Sequence, residues 1–154
     1  MAIVDYFLKI EGIPGDSTDD KHRNEIDVLS FGFEVSRREK GGRPRVEDFR
    51  FVKTVDTATP LLFDAACQGE SIRSAVMTGR KAGKGQQEFM RFTFEDVIVS
   101  SVQPTGTAGS DALPMEQVTL DFRSVEIEVR RQLPDGSLGP PVVSSCSPRV
   151  RRGE

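Results

Sequence analysis

Apolar residues recur at every second position through most of this chain, and the breaks in that rhythm mark its turns and a helix. Val4, Tyr6, Leu8 and Ile10 alternate with Ile3, Asp5, Phe7 and Lys9, which predicts a strand with one strongly apolar face. Gly12, Pro14 and Gly15 end it, and residues 16–25 read as a polar loop. Leu29, Phe31, Phe33 and Val35 then alternate with Ser30, Gly32, Glu34 and Ser36, the cleanest amphipathic strand in the chain. A Gly- and Pro-containing connector over residues 37–45 follows, after which Phe49 and Phe51 alternate with Asp48, Arg50 and Val52.

The period changes at Thr59. That residue can cap a helix, Pro60 suits its first position, and Leu61, Leu62, Phe63, Ala65, Ala66 and Cys67 supply its body. Gly69 can close it, so the pattern predicts a short helix over about residues 60–68 that plugs or packs on the sheet, with Cys67 buried.

Strand signals resume at Ile72–Lys81, turn at Ala82–Gly85 and run on from Gln86 to Val102. Within that run Met90, Phe92 and Phe94 are even-numbered, whereas Val97 and Val99 are odd. The next run repeats the shift, with Val118, Leu120 and Phe122 giving way to Val125, Ile127 and Val129. A one-residue slip turns every side chain to the other face unless a bulge or bend absorbs it. Two such slips predict long strands that bend between sheets: a mainly β fold, a barrel of two bent antiparallel sheets with one short helix. Glu95 and Asp96 sit at the first slip and fit a bulge better than an acid/base pair, since neighbours on a strand point to opposite faces. Residues 104–113 form a Gly-, Ser- and Thr-rich loop, Pro134-Asp135-Gly136 a turn, and the end with Arg149, Arg151 and Arg152 is expected to fray.

The 154 residues suit one domain, and a net charge of −3 lacks the basic excess of a dedicated nucleic-acid binder. The charge is uneven. Residues 1–34 hold eight carboxylates against three basic side chains, whereas 37–45 hold Arg37, Arg38, Lys40, Arg43 and Arg45 against Glu39 alone. A solvated hairpin loop, a nucleic-acid contact and a protein-docking loop all remain open for that basic segment, though it lacks the interleaved aromatics of a single-strand platform. Met1 leads into a strand-like run with no apolar signal core, and no run approaches the ~20 residues of a membrane span. A protein made in the cytoplasm, with no membrane insertion, is the expectation.

Chemistry is sparse. His22 is the only histidine, and neither Cys67 nor Cys146 sits in a nucleophile context; two cysteines exclude a disulfide scaffold, and Cys146 is expected to be an exposed thiol. His22 reads as a hydrogen-bonding loop residue, with metal ligation alongside Asp19, Asp20 or Glu25 the alternative. Gly79–Gly85 is one residue short of a phosphate loop, lacks its Ser or Thr and leads into a strand, so it reads as a hairpin. The expectation is no enzyme, no cofactor and no metal.

Several stretches in order resemble the Hcp family, the tube proteins of bacterial type VI secretion. "DYFLKIEGIPGDSTDDKHRNEIDVLSF" resembles the family's first strand, its Gly-Glu/Asp-Ser loop and its His-x-x-Glu-Ile entry to the second strand, here His22, Glu25 and Ile26. "FVKTVDTATPLLFDAACQGE" is similar to the Phe-x-Lys-x-x-Asp-x-x-Ser/Thr-Pro helix entry, with Phe51, Lys53, Asp56, Thr59 and Pro60. "MTGRKAGKGQQEFMRFTFEDVIVSSVQPTG" and "EQVTLDFRSVEIEV" complete the match. It covers residues 1–132 as the barrel domain and leaves 133–154 as a tail, partly strand or disordered.

The resemblance implies a tail-tube-like fold, homo-hexameric rings that stack into a hollow tube, and secretion without a cleaved signal peptide. It implies a VgrG-type spike protein, a contractile sheath and small effectors as partners. Phage-like tail tubes share the fold, and a barrel that binds single-stranded nucleic acid is a remoter alternative. Within that frame Ser30, Gly32, Glu34 and Ser36 form a small polar face suited to a lumen. The basic segment Arg37, Arg38, Lys40, Arg43 and Arg45 is expected to dock on an acidic surface of the next ring, with Asp16, Asp19 and Asp20 as candidates.

Overall fold

The computed structural model describes residues 3–82 and 85–147. In chain order the elements are β1 (Val4–Ile10), β2 (Ile26–Val28), β3 (Ser30–Gly32), β4 (Val35–Ser36), β5 (Arg45–Val46) and β6 (Phe49–Thr54). Then come α1 (Ala58–Gln68), β7 (Ile72–Lys81), β8 (Gln87–Thr105), β9 (Met115–Val129) and β10 (Val142–Cys146). Antiparallel pairing runs β2-β1-β7-β8-β9-β6-β3, with β10 attached to β9 and β4–β5 forming a separate two-stranded ribbon.

The sheet curls nearly shut because the segment from Ile26 to Gly32 changes partner. Val28 pairs with Tyr6 of β1, whereas Ser30 pairs with Val52 of β6, and between them the Leu29 N–H donates to the Val52 carbonyl at 2.8 Å. The single strand expected over residues 29–36 is instead two short pieces on different partners, β3 on β6 and β4 on β5, with Phe33 and Glu34 between them. Leu29 and Val35 consequently lie 55% and 54% exposed, although Phe31 and Phe33 still close over Phe92 at 5.8 and 5.6 Å between ring centroids.

Alternation fills the barrel from all sides. Leu8, Ile26, Phe49, Phe51, Met77, Phe94, Leu120 and Phe122 are fully buried, and Phe94 meets Phe49 and Phe122 at 4.6 and 4.9 Å in tilted geometry. Each such side chain stabilises the fold by roughly 1.5–3 kcal/mol relative to exposure.

The two phase slips fall on the same rungs. Glu95 pairs with Ser124 and Val97 with Phe122, so the ladder stays in register while both strands turn a new face to the core. Asp96 takes a left-handed φ of 53° there, and its carboxylate accepts from the Ser71 hydroxyl at 2.7 Å and Arg123 Nε at 3.2 Å. The bend is therefore shared by two strands, which is how one sheet wraps a barrel.

The helix begins at Ala58, and the expected Thr59 cap is wrong. Its hydroxyl accepts the Asp56 N–H at 3.1 Å, while Asp56 Oδ1 takes the Ala58 N–H at 2.9 Å in the first turn. Gly69 closes the helix as expected, with φ 64° and its N–H on the Ala65 carbonyl at 2.9 Å. Only Ala58, Leu62 and Ala65 are buried. Cys67, expected inside, is exposed, because three buried positions on one stripe are all the sheet can cover. β7 and β8 form an antiparallel hairpin, so the strand–loop–helix context of a phosphate loop is absent there. Gly83, Lys84, Arg149, Arg151 and Arg152 lie outside the described residues.

Candidate assembly surfaces

Three polar constellations distinguish this barrel. The first fastens the loop after β1 to the outer face of the sheet. Phe7 points outward from β1, and the His22 ring stacks on it at 4.4 Å and 6°. The Arg80 guanidinium lies 4.8 Å from the same Phe7 ring. His22 Nδ1 stands 3.0 Å from the Glu25 carboxylate and Nε2 stands 2.7 Å from Glu88 Oε1. Arg80 donates two bonds to Asp19 at 2.9 and 2.8 Å and reaches Asp5 at 3.5 Å. That bidentate bond is the main reason the Asp19 carboxyl is lowered to about 2, with burial opposing it. The His-x-x-Glu spacing thus positions a structural latch. Glu25 joins His22 there but Asp19 turns to Arg80, and no three ligating side chains converge as a metal site among the described residues.

The second constellation holds α1 to the barrel. Lys53 continues the inward phase of Phe49 and Phe51 and is fully buried. Its ammonium donates to Asp56 Oδ1 at 2.6 Å, Thr59 Oγ1 at 3.2 Å and the Thr54 carbonyl at 3.0 Å, and it pairs with Glu116 Oε1. The Thr59 hydroxyl in turn donates to Glu116 Oε1 at 2.7 Å. A buried charge survives only with hydrogen bonds from the chain itself; the Lys53 ammonium has them, while Glu116 Oε2 is buried without a partner among the described residues.

The third is the ribbon β4–β5, where Val35 pairs with Val46 and Ser36 with Arg45. Arg45 Nε reaches Glu47 at 3.2 Å, and Arg37 donates to the Gly42 carbonyl. Arg38, Lys40 and Arg43 are exposed and join no ion pair among the described residues. Of the acidic candidates, Asp16 is engaged with Thr57 and Asp19 with Arg80, whereas the Asp20 side chain is 98% exposed beside Arg23 at 3.9 Å. Partial desolvation, then Asp56, Asp19, Asp5 and Asp16 in turn, raise the Asp27 carboxyl above its ordinary range, although Lys53 pairs with Asp56 and Arg80 with Asp19 and Asp5.

The four small polar residues do not form one strip. Ser30 and Glu34 are exposed, Gly32 and Ser36 half-buried; Ser30 and Gly32 lie on β3, Ser36 on β4 and Glu34 in the link between them. A Cβ at Gly32 would stand 2.8 Å from the Arg50 guanidinium, so a long cation lies over this face. Ser36 instead lines a shallow cleft with Arg38, Arg43, Arg45, Glu34 and Glu47.

Residues 7–129 match the family described as "Type VI secretion system effector, Hcp". This chain belongs to the Hcp family. It is 38% identical over 143 residues to Protein hcp1 of Pseudomonas aeruginosa, covering 87% of this chain and 88% of that protein. Hcp1 from Salmonella typhimurium superposes with a TM-score of 0.82 at 35% identity, over 96% of this chain and 95% of that one. A structure described as a type six secretion system protein gives 0.88 at 26% identity, over 94% and 96%. The protein is therefore a subunit of the type VI secretion tube, of a secreted structural family that assembles into rings and tubes. Within the Hcp fold, the sequence motifs that carry the likeness are the latch and the buried Lys53 cluster, both devices for folding.

Arg80, Glu88 and Glu116 complete those clusters and escaped the sequence reading. Glu116 had a usable signal: it precedes Val118 and Leu120 in the buried phase. Arg80 and Glu88 had none, since a loop distant in sequence covers them.

Proposed function

We propose that six copies close into a ring, that rings stack into a hollow tube, and that small effectors ride inside it. In this reading the subunit works without catalysis, meets a VgrG-type spike and a contractile sheath, and leaves the cell without a cleaved signal peptide. Ser30, Gly32 and Glu34 face the lumen, with Ser36 at its border with the ribbon. The ribbon residues Arg37, Arg38, Lys40, Arg43 and Arg45 contact the acidic face of the next ring, where Asp20 is the freest carboxylate and Asp16 and Asp19 add to the field. The observation that carries this reading is a basic ribbon, separate from the barrel sheet, whose Arg38, Lys40 and Arg43 are exposed and join no ion pair among the described residues.

Light scattering after size exclusion tests the ring, with a mass near six subunits expected; a stable monomer at high concentration would sink it. Exposed charge pairs contribute about 0–1 kcal/mol each and are screened by salt. Tube formation should therefore weaken in high salt and in Arg37→Glu/Arg38→Glu while single rings persist. Stacking that ignores both changes would remove the ribbon from the interface.

A further inference from the structure

β10 is placed with care and yet buries none of its side chains. Arg130 N–H donates to the Phe89 carbonyl at 2.8 Å as the chain leaves β9, and Gly139 N–H returns to the Arg131 carbonyl at 2.8 Å. Between them the Leu133 N–H meets the Ser137 carbonyl at 2.7 Å, and Gln87 Nε2 donates to the Gly136 carbonyl at 2.5 Å. This connection brings Val142–Cys146 antiparallel along β9, from Val142 opposite Val129 to Cys146 opposite Val125. All five residues are nevertheless exposed, Val142 at 76% and Val143 at 50%. A five-residue strand with bare faces recovers little of the conformational entropy its ordering costs.

Its far edge is bare as well, since no strand among the described residues pairs with it. The segment Val-Val-Ser-Ser-Cys has no charge and no proline, so it lacks the usual guards against strand addition. Residues opposite each other share a face, and one such row runs from Met90, 8% exposed, through Val129 at 43% to Val142. The apolar surface of the barrel thus continues outward onto β10 without a cover.

We propose that β10 is the seam between neighbouring copies in the ring, where the adjacent subunit covers its unpaired edge and the Val129–Val142 row. The proposal rests on the ring reading above. A second copy is the fitting occupant because the family assembles into rings and tubes, and closure of a ring is what stops an unguarded edge from recruiting copies without end. The seam is apolar and backbone-bonded, so it should hold in salt that loosens the charged ribbon.

The native thiols supply the test. Cys146 lies on β10 and Cys67 on α1, and both are exposed in the subunit. In wild-type rings, maleimide should label Cys146 at least tenfold more slowly than it does in folded Val142→Arg subunits. Those subunits should run as species smaller than the ring. Rings in which Cys146 reacts at the rate of a free exposed thiol would overturn the seam, as would Val142→Arg protein that keeps the ring. Should Val142→Arg fail to fold, Ser144→Arg serves as the second variant, and the wild-type labelling rate decides independently. Wild-type protein that never leaves the monomer would defeat the ring reading itself, whereas intact rings with a reactive Cys146 would defeat only the seam.

Discussion

Lys53 and Arg45 are both cations on β-strands of this subunit, and they have opposite fates. The Lys53 ammonium is fully buried among Asp56, Thr59 and Glu116, whereas the Arg45 side chain is 75% exposed with Glu47 as its ion-pair partner. The difference teaches where the molecule is finished and where it is not. Under α1 the chain surrounds the buried ammonium with its own carboxylates and hydroxyl, because a buried charge left alone would unfold it. On the ribbon and β10 it leaves charge, backbone edge and valines in water, where they cost little singly.

The sharpest way to break that contrast is to remove the buried ammonium. Lys53→Met strands two carboxylates and should cost about 3–5 kcal/mol of subunit stability, read by urea unfolding under circular dichroism. Adding Glu116→Leu should recover part of that loss, and a single variant within 1 kcal/mol of wild type would show that the cluster is not a folding device. Arg80→Met comes next. It leaves Asp19 and Asp5 without their cation and should cost about 2 kcal/mol in the same assay, with the loop over Phe7 the first region to gain amide exchange.

Acid supplies a smaller effect with a defined sign. The Asp19 carboxyl is depressed in the folded state, so its contribution is complete above the ordinary carboxylate range and is lost as pH falls toward about 2. With solvent screening allowed for, that contribution is on the order of 1 kcal/mol. Asp19→Asn should flatten the stability profile in that window; an unchanged slope would mean the pair does not operate in solution. Smallest of all, Arg45→Ala and Val143→Thr should alter subunit stability by no more than about 0.5 kcal/mol. Their effects belong in assembly measurements, and a large folding defect in either would erase the distinction between the two regions.

Much of the fold was legible because period-two alternation reports which face of a strand meets the core. Phe49, Phe51, Phe94, Leu120 and Phe122 fall where that rhythm puts them, and both slips mark a real bend. The run from Leu29 to Val35 misled because alternation cannot say which strand a segment pairs with, and this one leaves β6 after Gly32 to pair with β5 from Val35. Cys67 misled for a related reason: an apolar helix has as many buried positions as its neighbour can cover. Of the assembly residues, the charge contrast between 37–45 and the first 34 positions was visible in the residues, but the engagement of Asp16 by Thr57 and Asp19 by Arg80 was not.

The sequence by itself determined a single mainly β barrel with one helix, its two bent strands and its membership of the Hcp family, since these follow from local periodicity and ordered motifs. Tertiary structure alone decided that His22 and Lys53 serve folding, that Asp20 is far more exposed than Asp19, and that β10 lies against β9 with no strand among the described residues on its far edge. Each of those depends on which distant groups come within a few ångströms, and burial, ion pairing and edge pairing are properties of that proximity. The residues record what each side chain can do; only the folded chain chooses its partner.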